Sequence, residues 1–430
     1  MNTKFRNFLL AGLFCVSSAA HAGTAFDITS QMMPGWNLGN ALDSTGGGET
    51  NWGNPVITQA LIDKIKSAGF KTLRVPVSWD YYTSGSNFTI VSTRLDRVEQ
   101  VVNYGLNDGL YVIINVHHND GWEAPSYANE AAAKNRLTKL WQQIATRFKN
   151  YNNHLIFEVM NEPIVGSDWT GTTEYYNVVN NMDAAALSTI RATGGNNATR
   201  LVMLPGYVAG PWDNQINALK IPSDSMVAAS VHAYVPYSFA LDGSGTAQFT
   251  DTATIDSLFS RLNTRFLSQG IAVVIGEWGA TNKGNTAERI KFASYYTKAA
   301  AKLGIPTIVW DNNIYTSGGE SFGLINRSSL TWAYPDIVTA IMQGVSTSGA
   351  SSSNSGSTTT STSDYPSGYA KCANEGSSCK VKSGTGSVAF GAKGKWVYKT
   401  VTVSKSIACT VAAFGSDPLV GSSKKCSYQP

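Results

Sequence analysis

Charged side chains are scarce in this 430-residue chain, at 14% against about 25% in ordinary soluble domains. That shortage excludes a charge-rich disordered chain and a coiled coil. Positive charge is missing where a nucleic-acid enzyme would need it. The net charge is +4, but the last 63 residues carry nine lysines against Glu375 and Asp417, so everything before residue 368 sums to −3, and no nucleic-acid partner is expected. No stretch after residue 22 approaches the roughly 18 uninterrupted apolar residues of a membrane span, so no membrane partner is expected either. Cysteine is missing between Cys15 and Cys372. The four that follow (Cys372, Cys379, Cys409 and Cys426) crowd into the C-terminal segment and read as a disulfide framework. They include no CxxC pair and have no histidine nearby, which argues against zinc. Three connectivities are possible, and Cys372–Cys379 with Cys409–Cys426 is expected because these pairs are nearest in sequence.

Residues 1–22 read as a secretory signal peptide: Lys4 and Arg6, an apolar stretch from Phe8 to Ala20, then Ala20-His21-Ala22 before Gly23. A secreted, extracellular protein is the expectation. From Ser346 to Ser363 the chain is almost purely Ser, Thr, Gly and Ala, a composition that cannot bury a core. The expected division is therefore 1–22 signal, 23–345 main domain, 346–367 flexible linker and 368–430 a small all-β module.

In the main domain, apolar strand-like runs alternate with amphipathic helical patterns. Eight runs stand out: 33–35 leading into Gly-Trp-Asn-Leu-Gly, then 71–77, 111–116, 155–160, 200–205, 226–234, 272–278 and 307–312. Helical patterns cover 58–68, 92–107, 130–148, 174–191, 255–269, 286–302 and 337–342. Only the connection after Pro205 is short and weakly helical. Near-continuous apolar strands interleaved with helices imply a buried parallel sheet. Eight repeats in about 320 residues fit an α/β fold of the (β/α)8 barrel type. A doubly wound open sheet is the runner-up, weakened because no glycine fingerprint follows the first strand.

In such a barrel the chemistry sits at the C-terminal ends of the strands. Those ends hold Trp36 to Asn40, Arg74, His117 to Asp120, Asn161-Glu162-Pro163, His232-Ala233-Tyr234, Glu277-Trp278-Gly279 and Trp310-Asp311-Asn312. Glu162 and Glu277, from the fourth and seventh strands, would face each other across the mouth, as glycosidic cleavage requires. Glu158 shares a strand with Glu162 but lies four residues earlier, roughly 13 Å deeper in an extended strand; it is assigned to the barrel interior. His117 and His118 are adjacent, so strand alternation would send them to opposite faces and prevent chelation of one ion. No metal and no cofactor are expected. Trp36, Trp52, Trp79, Trp122, Trp169 and Trp212 are candidate sugar platforms, with core packing the ordinary alternative for each. Gly319 to Gly323 matches GxSxG, but no acid-then-histidine order follows it, since His232 is the last histidine.

The motifs GWNLGNALD (35–43), TLRVPVSW (72–79), NVHHND (115–120), FEVMNEP (157–163), VHAY (231–234), VIGEWG (274–279) and WDN (310–312) resemble glycoside hydrolase family 5, of the cellulase type, over essentially residues 23 to 345. The opening motif and ETNWGNP (49–55) resemble its endo-β-1,4-glucanase subfamily, whose members take cellulose, mixed-linkage glucan and often xyloglucan. The resemblance implies a retaining enzyme with Glu162 as acid/base and Glu277 as nucleophile. It implies Arg74 and Tyr234 against the nucleophile, with Arg74 lowering its pKa, and His232 beside the acid/base. Asn37, His117, His118, Asn161 and Trp310 are the expected substrate contacts, with Asn161 on the sugar 2-hydroxyl and Trp310 as the floor of the reacting subsite. The expected partner is the polysaccharide alone, bound by a monomer. Mannan and xylan stay open as substrates, because loops set that choice.

The C-terminal segment loosely resembles small cysteine-containing modules of polysaccharide-degrading enzymes. Its strand-like runs are 387–390, 396–403 and 407–414, and Tyr369, Phe390, Trp396, Tyr398, Phe414 and Tyr428 are candidate stacking faces.

Overall fold

The computed structural model describes residues 24–118, 121–349, 369–381, 387–392, 395–402, 404–414, 418 and 422–428. The expected signal peptide, most of the expected linker, Asn119 and Asp120 lie outside these residues. The chain divides into two compact units, Met1–Val345 and Ser346–Pro430.

In the first unit, eight parallel strands close into a barrel: β1 (Gly35–Asn37), β2 (Thr72–Val75), β3 (Tyr111–Asn115), β4 (Leu155–Glu158), β5 (Val202–Pro205), β6 (Val227–His232), β7 (Ala272–Trp278) and β8 (Thr307–Val309). Each pairs with its sequence neighbours, and β8 returns to β1. The open-sheet alternative is thereby excluded. The helices begin with α1 (Ala25–Thr29), ahead of the barrel, and the connecting helices include α2 (Gln59–Ser67), α3 (Ser92–Asn107), α4 (Glu130–Phe148) and α5 (Thr173–Ala192). Their apolar spacing explains them: α3 buries Val98, Val101, Val102 and Gly105, an i, i+3, i+4, i+7 stripe, against the sheet. Thr172 caps α5 by accepting from the Tyr175 amide. After β5 there is only a six-residue helix, Asp213–Ala218, as its weak pattern implied. The helix after β8, Pro335–Gly349, runs four residues into the segment expected to be linker.

The inward face of the barrel changes character along its axis, and strand alternation carries that change. At the N-terminal end, Ile113, Ile156, Ala228, Val274 and Ile308 form an apolar plug, sealed by Ala25 and Ile28 of the short helix Ala25–Thr29 and by Met32. Their neighbours Val112, Ile114, Phe157, Val227, Ala229 and Val273 belong instead to the larger core between sheet and helices. Two residues further along, the inward positions are Asn115, Glu158, Ser230 and Gly276, and next come His117 and His232. The barrel thus has an apolar base and a polar upper layer.

In the second unit, β9 (Ala370–Asn374), β11 (Ser387–Ala392), β12 (Lys395–Thr400) and β14 (Lys425–Tyr428) form an antiparallel sheet in the order β9-β14-β11-β12. β10 (Ser378–Lys380) pairs with β13 (Ser406–Ala408). Disulfides join Cys372 to Cys379 and Cys409 to Cys426, the expected pairing. Two expectations are corrected. Val411–Phe414 is one helical turn rather than strand, capped by Thr410 Oγ1, which accepts from the Ala413 amide. Phe390, Phe414 and Tyr428 are buried in the module's core with the disulfide sulfurs, so they offer no stacking face. So small a unit has little else apolar to bury.

Candidate active site

Arg74 organises the site. It projects inward from β2 with no exposure and uses every edge of its guanidinium. Nε donates to Glu158 Oε2 at 2.8 Å and Nη2 approaches the same oxygen at 2.6 Å. Nη1 donates to Glu277 Oε1 at 2.7 Å and to Asn37 Oδ1 at 2.9 Å, and Nη2 donates to Asn161 Oδ1 at 2.8 Å. Burial would weaken the charge, but Glu158 and Glu277 outweigh it and push the guanidinium pKa up.

Glu277 follows a register shift between β6 and β7 that sets it opposite His232. Its two oxygens are held separately, Oε1 by Arg74 and Oε2 by the Tyr234 hydroxyl at 2.9 Å. Burial raises the Glu277 pKa, and the nearby charge of Glu162 adds to this; His232 and Arg74 pull down but do not cancel it. Arg74 lowers it as expected, but the net shift is upward. Burial and the Glu277 charge push the Tyr234 hydroxyl well above its usual range, so it remains a donor.

His232 stands among three carboxylates. Nδ1 is 2.6 Å from Glu162 Oε1 and 3.7 Å from Glu277 Oε1, while Nε2 is 3.8 Å from Glu158 Oε1. Burial would lower its pKa, but Glu277, Glu158 and Glu162 raise it to about 9. Gly276 makes this approach possible: a Cβ there would lie 2.9 Å from His232 Nε2 and 3.2 Å from Glu158 Oε1. One oxygen each of Glu162 and Glu277 and one His232 nitrogen all lie within 4.8 Å of one another. The Glu162 side chain keeps 25% exposure, whereas Glu277 keeps 7%.

His117 and Trp310 form the other wall, with parallel rings 6.0 Å apart. Gly39 backs the indole, and a Cβ there would come within 2.6 Å of it. The Asn115 amide has a fixed sense: Oδ1 accepts from the Val77 amide, and Nδ2 donates to Glu158 Oε2. Its contact to His117 Nδ1 at 3.1 Å is therefore also a donation. His117 is the tautomer protonated on Nε2, and burial, with the His118 and Arg74 charges, depresses its pKa well below the usual value.

Three expectations change. Asn37 is fully buried, with Nδ2 donating to the Gly276 and Ile308 carbonyls and Oδ1 accepting from Arg74; it positions Arg74 and has no face left for substrate. His117 and His118 do not diverge. They lie beyond β3, where alternation no longer applies, and their rings meet edge to face at 4.5 Å. Nitrogens of this pair and an Asp43 oxygen lie within 4.8 Å of one another; the proton on His117 Nε2 is what opposes a metal there. Glu158 is interior as expected, yet not remote: the strand ends at Glu158 and the chain bends, so one imidazole reaches both it and Glu162. Asn115, Ser230 and Asp43 were missed as site residues. Asn115 and Ser230 sit two positions before His117 and His232, inside the runs 111–116 and 226–234, which a reading of the expected strand ends passes over.

Of the tryptophans, Trp36 and Trp79 are core, and Trp122 is partly buried with its indole N–H on Asp80. Trp52, Trp169 and Trp212 are exposed, and all three lie in connections that follow barrel strands, as do exposed Tyr81, Tyr127 and Tyr237. The Trp52 ring is 5.4 Å from His118.

The profile described as cellulase (glycosyl hydrolase family 5) matches residues 37–316. The chain belongs to glycoside hydrolase family 5. Among similar family 5 proteins, endoglucanase A of Clostridium longisporum is 47% identical over 347 residues, covering 76% of this chain and 67% of the relative. A broad-specificity endoglucanase of subfamily 5-4 from Clostridium cellulovorans superposes with TM-score 0.74 at 44% identity, covering 76% of this chain and 97% of that one. Another from Ruminococcus champanellensis, solved with bound cellotriose, gives TM-score 0.73 at 40% identity over 75% and 99%. As a family 5 member, the protein is a retaining glycoside hydrolase.

Proposed function

We propose that the protein is a secreted endo-β-1,4-glucanase that cleaves internal bonds of cellulose and related β-glucans by double displacement. The observation that carries this is the approach of Glu162 and Glu277 to within 4.8 Å around His232. Retaining enzymes hold their carboxyl groups about 5–5.5 Å apart, and inverting enzymes leave about 6.5–9.5 Å for a water. The close spacing supports direct attack on the sugar.

In this reading Glu277 attacks the anomeric carbon while the glycosidic C–O bond breaks, and Glu162 gives its proton to the leaving oxygen. Glu162 then takes a proton from water, which attacks the same carbon and releases Glu277. Arg74 fixes Asn161 Oδ1, which leaves the Asn161 amino group for the sugar 2-hydroxyl. His117 Nε2 supplies a second donor, Trp310 the stacking floor, and Trp52 beside His118 a neighbouring platform. Reducing-sugar release from carboxymethyl cellulose tests the reading, with xyloglucan, mixed-linkage glucan, mannan and xylan in parallel. No release from any β-glucan, by protein that retains its fold, would sink it. Proton NMR should show the β-anomer first, and an initial α-product excludes retention.

We infer further that the linker tethers residues 368–430 so that the module engages polysaccharide near the enzyme, which raises effective concentration. Trp396, half-buried and paired with Gly391 across β11 and β12, is a stacking candidate outside the buried aromatics. The full chain should sediment with insoluble cellulose more than a chain truncated at residue 349, and Trp396→Ala should match the truncation. Equal sedimentation of all three removes the module's role. The enzyme is expected to be a monomer in light scattering.

A further inference from the structure

We propose that Glu158 is a positioning residue for catalysis: an ionised third carboxylate beneath the reacting pair that shares Arg74 with Glu277 and holds His232 toward Glu162. This rests on the roles given above to Glu162 and Glu277, and it explains a group those roles leave unused.

The contacts are many and come from different strands. Oε2 of Glu158 accepts from Arg74 on β2 and from Asn115 Nδ2 at 2.9 Å on β3. Oε1 accepts from Ser230 Oγ at 2.6 Å on β6 and faces His232 Nε2 at 3.8 Å. Glu158 is fully buried, and that nitrogen of His232 has no hydrogen-bond partner among the described residues. A carboxylate so placed serves no exposed surface. It is also not a plain structural ion pair, because Arg74 already has Glu277, Asn37 and Asn161 as partners.

The charges facing these groups give the reason for a third carboxylate. Glu158 faces Arg74 and His232. Glu277 faces Arg74, His232, Glu162 and the Tyr234 hydroxyl. His117 contributes no charge, being neutral. Without Glu158, the guanidinium charge would fall on Glu277 alone, making it a weaker base and a poorer nucleophile. With it, the Arg74 charge is divided, and His232 has an anion on its Nε2 side that balances Glu162 on its Nδ1 side. Burial alone would raise the Glu158 pKa, but Arg74 and His232 hold it down to about 2, so the carboxylate is charged throughout the working range.

The test is the pH profile of kcat/KM for Glu158→Gln, which keeps shape and loses charge, beside Glu158→Asp, which keeps charge and withdraws it. Glu158→Gln should move the acid limb to lower pH by about one unit, because Glu277 then feels Arg74 undivided, and should lower kcat at least tenfold with KM little changed. Glu158→Asp should lose kcat while its acid limb stays in place. If Glu158→Gln folds and its acid limb does not move, the proposal is overturned. If that variant does not fold, nitrogen NMR of the wild-type enzyme decides. The His232 ring should titrate well above His117 and His118, and titration near the ordinary histidine value would refute the paired anions. Wild-type inactivity on all β-glucans would instead count against the functional reading itself.

Discussion

The Tyr234 hydroxyl donates to Glu277 Oε2, the oxygen that Arg74 does not hold. The carboxylate is thus pinned at both oxygens and cannot rotate about its last torsion. Tyr234→Phe removes one pin and leaves the ring packed edge-on against Phe322. Its kcat should fall roughly 10–100-fold, in line with loss of one preorganised hydrogen bond, with little change in melting temperature. Undiminished kcat would show that Arg74 alone orients the nucleophile.

Glu277→Gln should abolish turnover on every substrate, because no other carboxylate reaches the same space from that strand. Glu162→Gln should lower hydrolysis of glucan by about 10²–10⁴-fold. On a dinitrophenyl cellobioside, whose leaving group needs no proton, it should keep a rapid first step and release a burst of phenolate. Equal losses for both variants on that substrate would reverse or dissolve the assignment.

Arg74→Lys keeps the charge but cannot donate to four partners. A point charge replaces a planar fork, and the buried Asn37 and Asn161 oxygens lose their donor. Activity should fall at least about 100-fold, and stability should drop by about 2–4 kcal/mol in urea unfolding. A variant of native stability and activity would place Arg74 outside the machinery.

The site also shapes stability against pH. Glu158 is held at about 2, below its ordinary 4.5, so its stabilisation is present above pH 4.5 and is lost as pH falls toward 2. His232 is raised from 6.5 to about 9, so its contribution is complete below pH 6.5 and is lost as pH rises through 9. Melting temperature should therefore peak between those limits. In His232→Asn the alkaline decline should be shallower than in wild type, and identical declines would rule this source out.

Asp183 on α5 is buried with neither oxygen hydrogen-bonded among the described residues, and burial raises its pKa well above 3.8. The sign is opposite to that of Glu158: stability declines as pH rises from the unfolded value toward the folded one. Asp183→Ala should raise stability at pH 7 by about 1 kcal/mol or more, with a gain that vanishes below pH 3.8. A loss at all pH values would mean that the carboxyl has a hidden partner.

The alternation of apolar strands and amphipathic helices determined the barrel, because a strand buried on both faces must be apolar nearly throughout and each crossover must bury one helical stripe. The positions of Glu162, Glu277, Arg74, His232 and Tyr234 were legible for the same reason, as strand ends at one rim. The clustering of four cysteines could be read in a segment too small to fold on its core alone, and of three possible pairings the one between sequence neighbours is the one that forms. What the sequence left undecided was how far each side chain reaches. Asn37 looked like a substrate contact until the register of β1 against β2 set it beside Arg74. Glu158 looked remote until the chain turned after β4, and His117 and His118 looked divergent until the strand ended before them. Burial of Phe390, Phe414 and Tyr428 depended likewise on how the module's strands and helical turn pack with the cysteines. Periodicity reports direction from a regular backbone and holds only while the backbone stays regular. At the barrel rim the strands stop, and there contacts between residues far apart in the chain, His232 with Glu162 and Arg74 with Glu277, are fixed by closure of the whole barrel rather than by any local pattern.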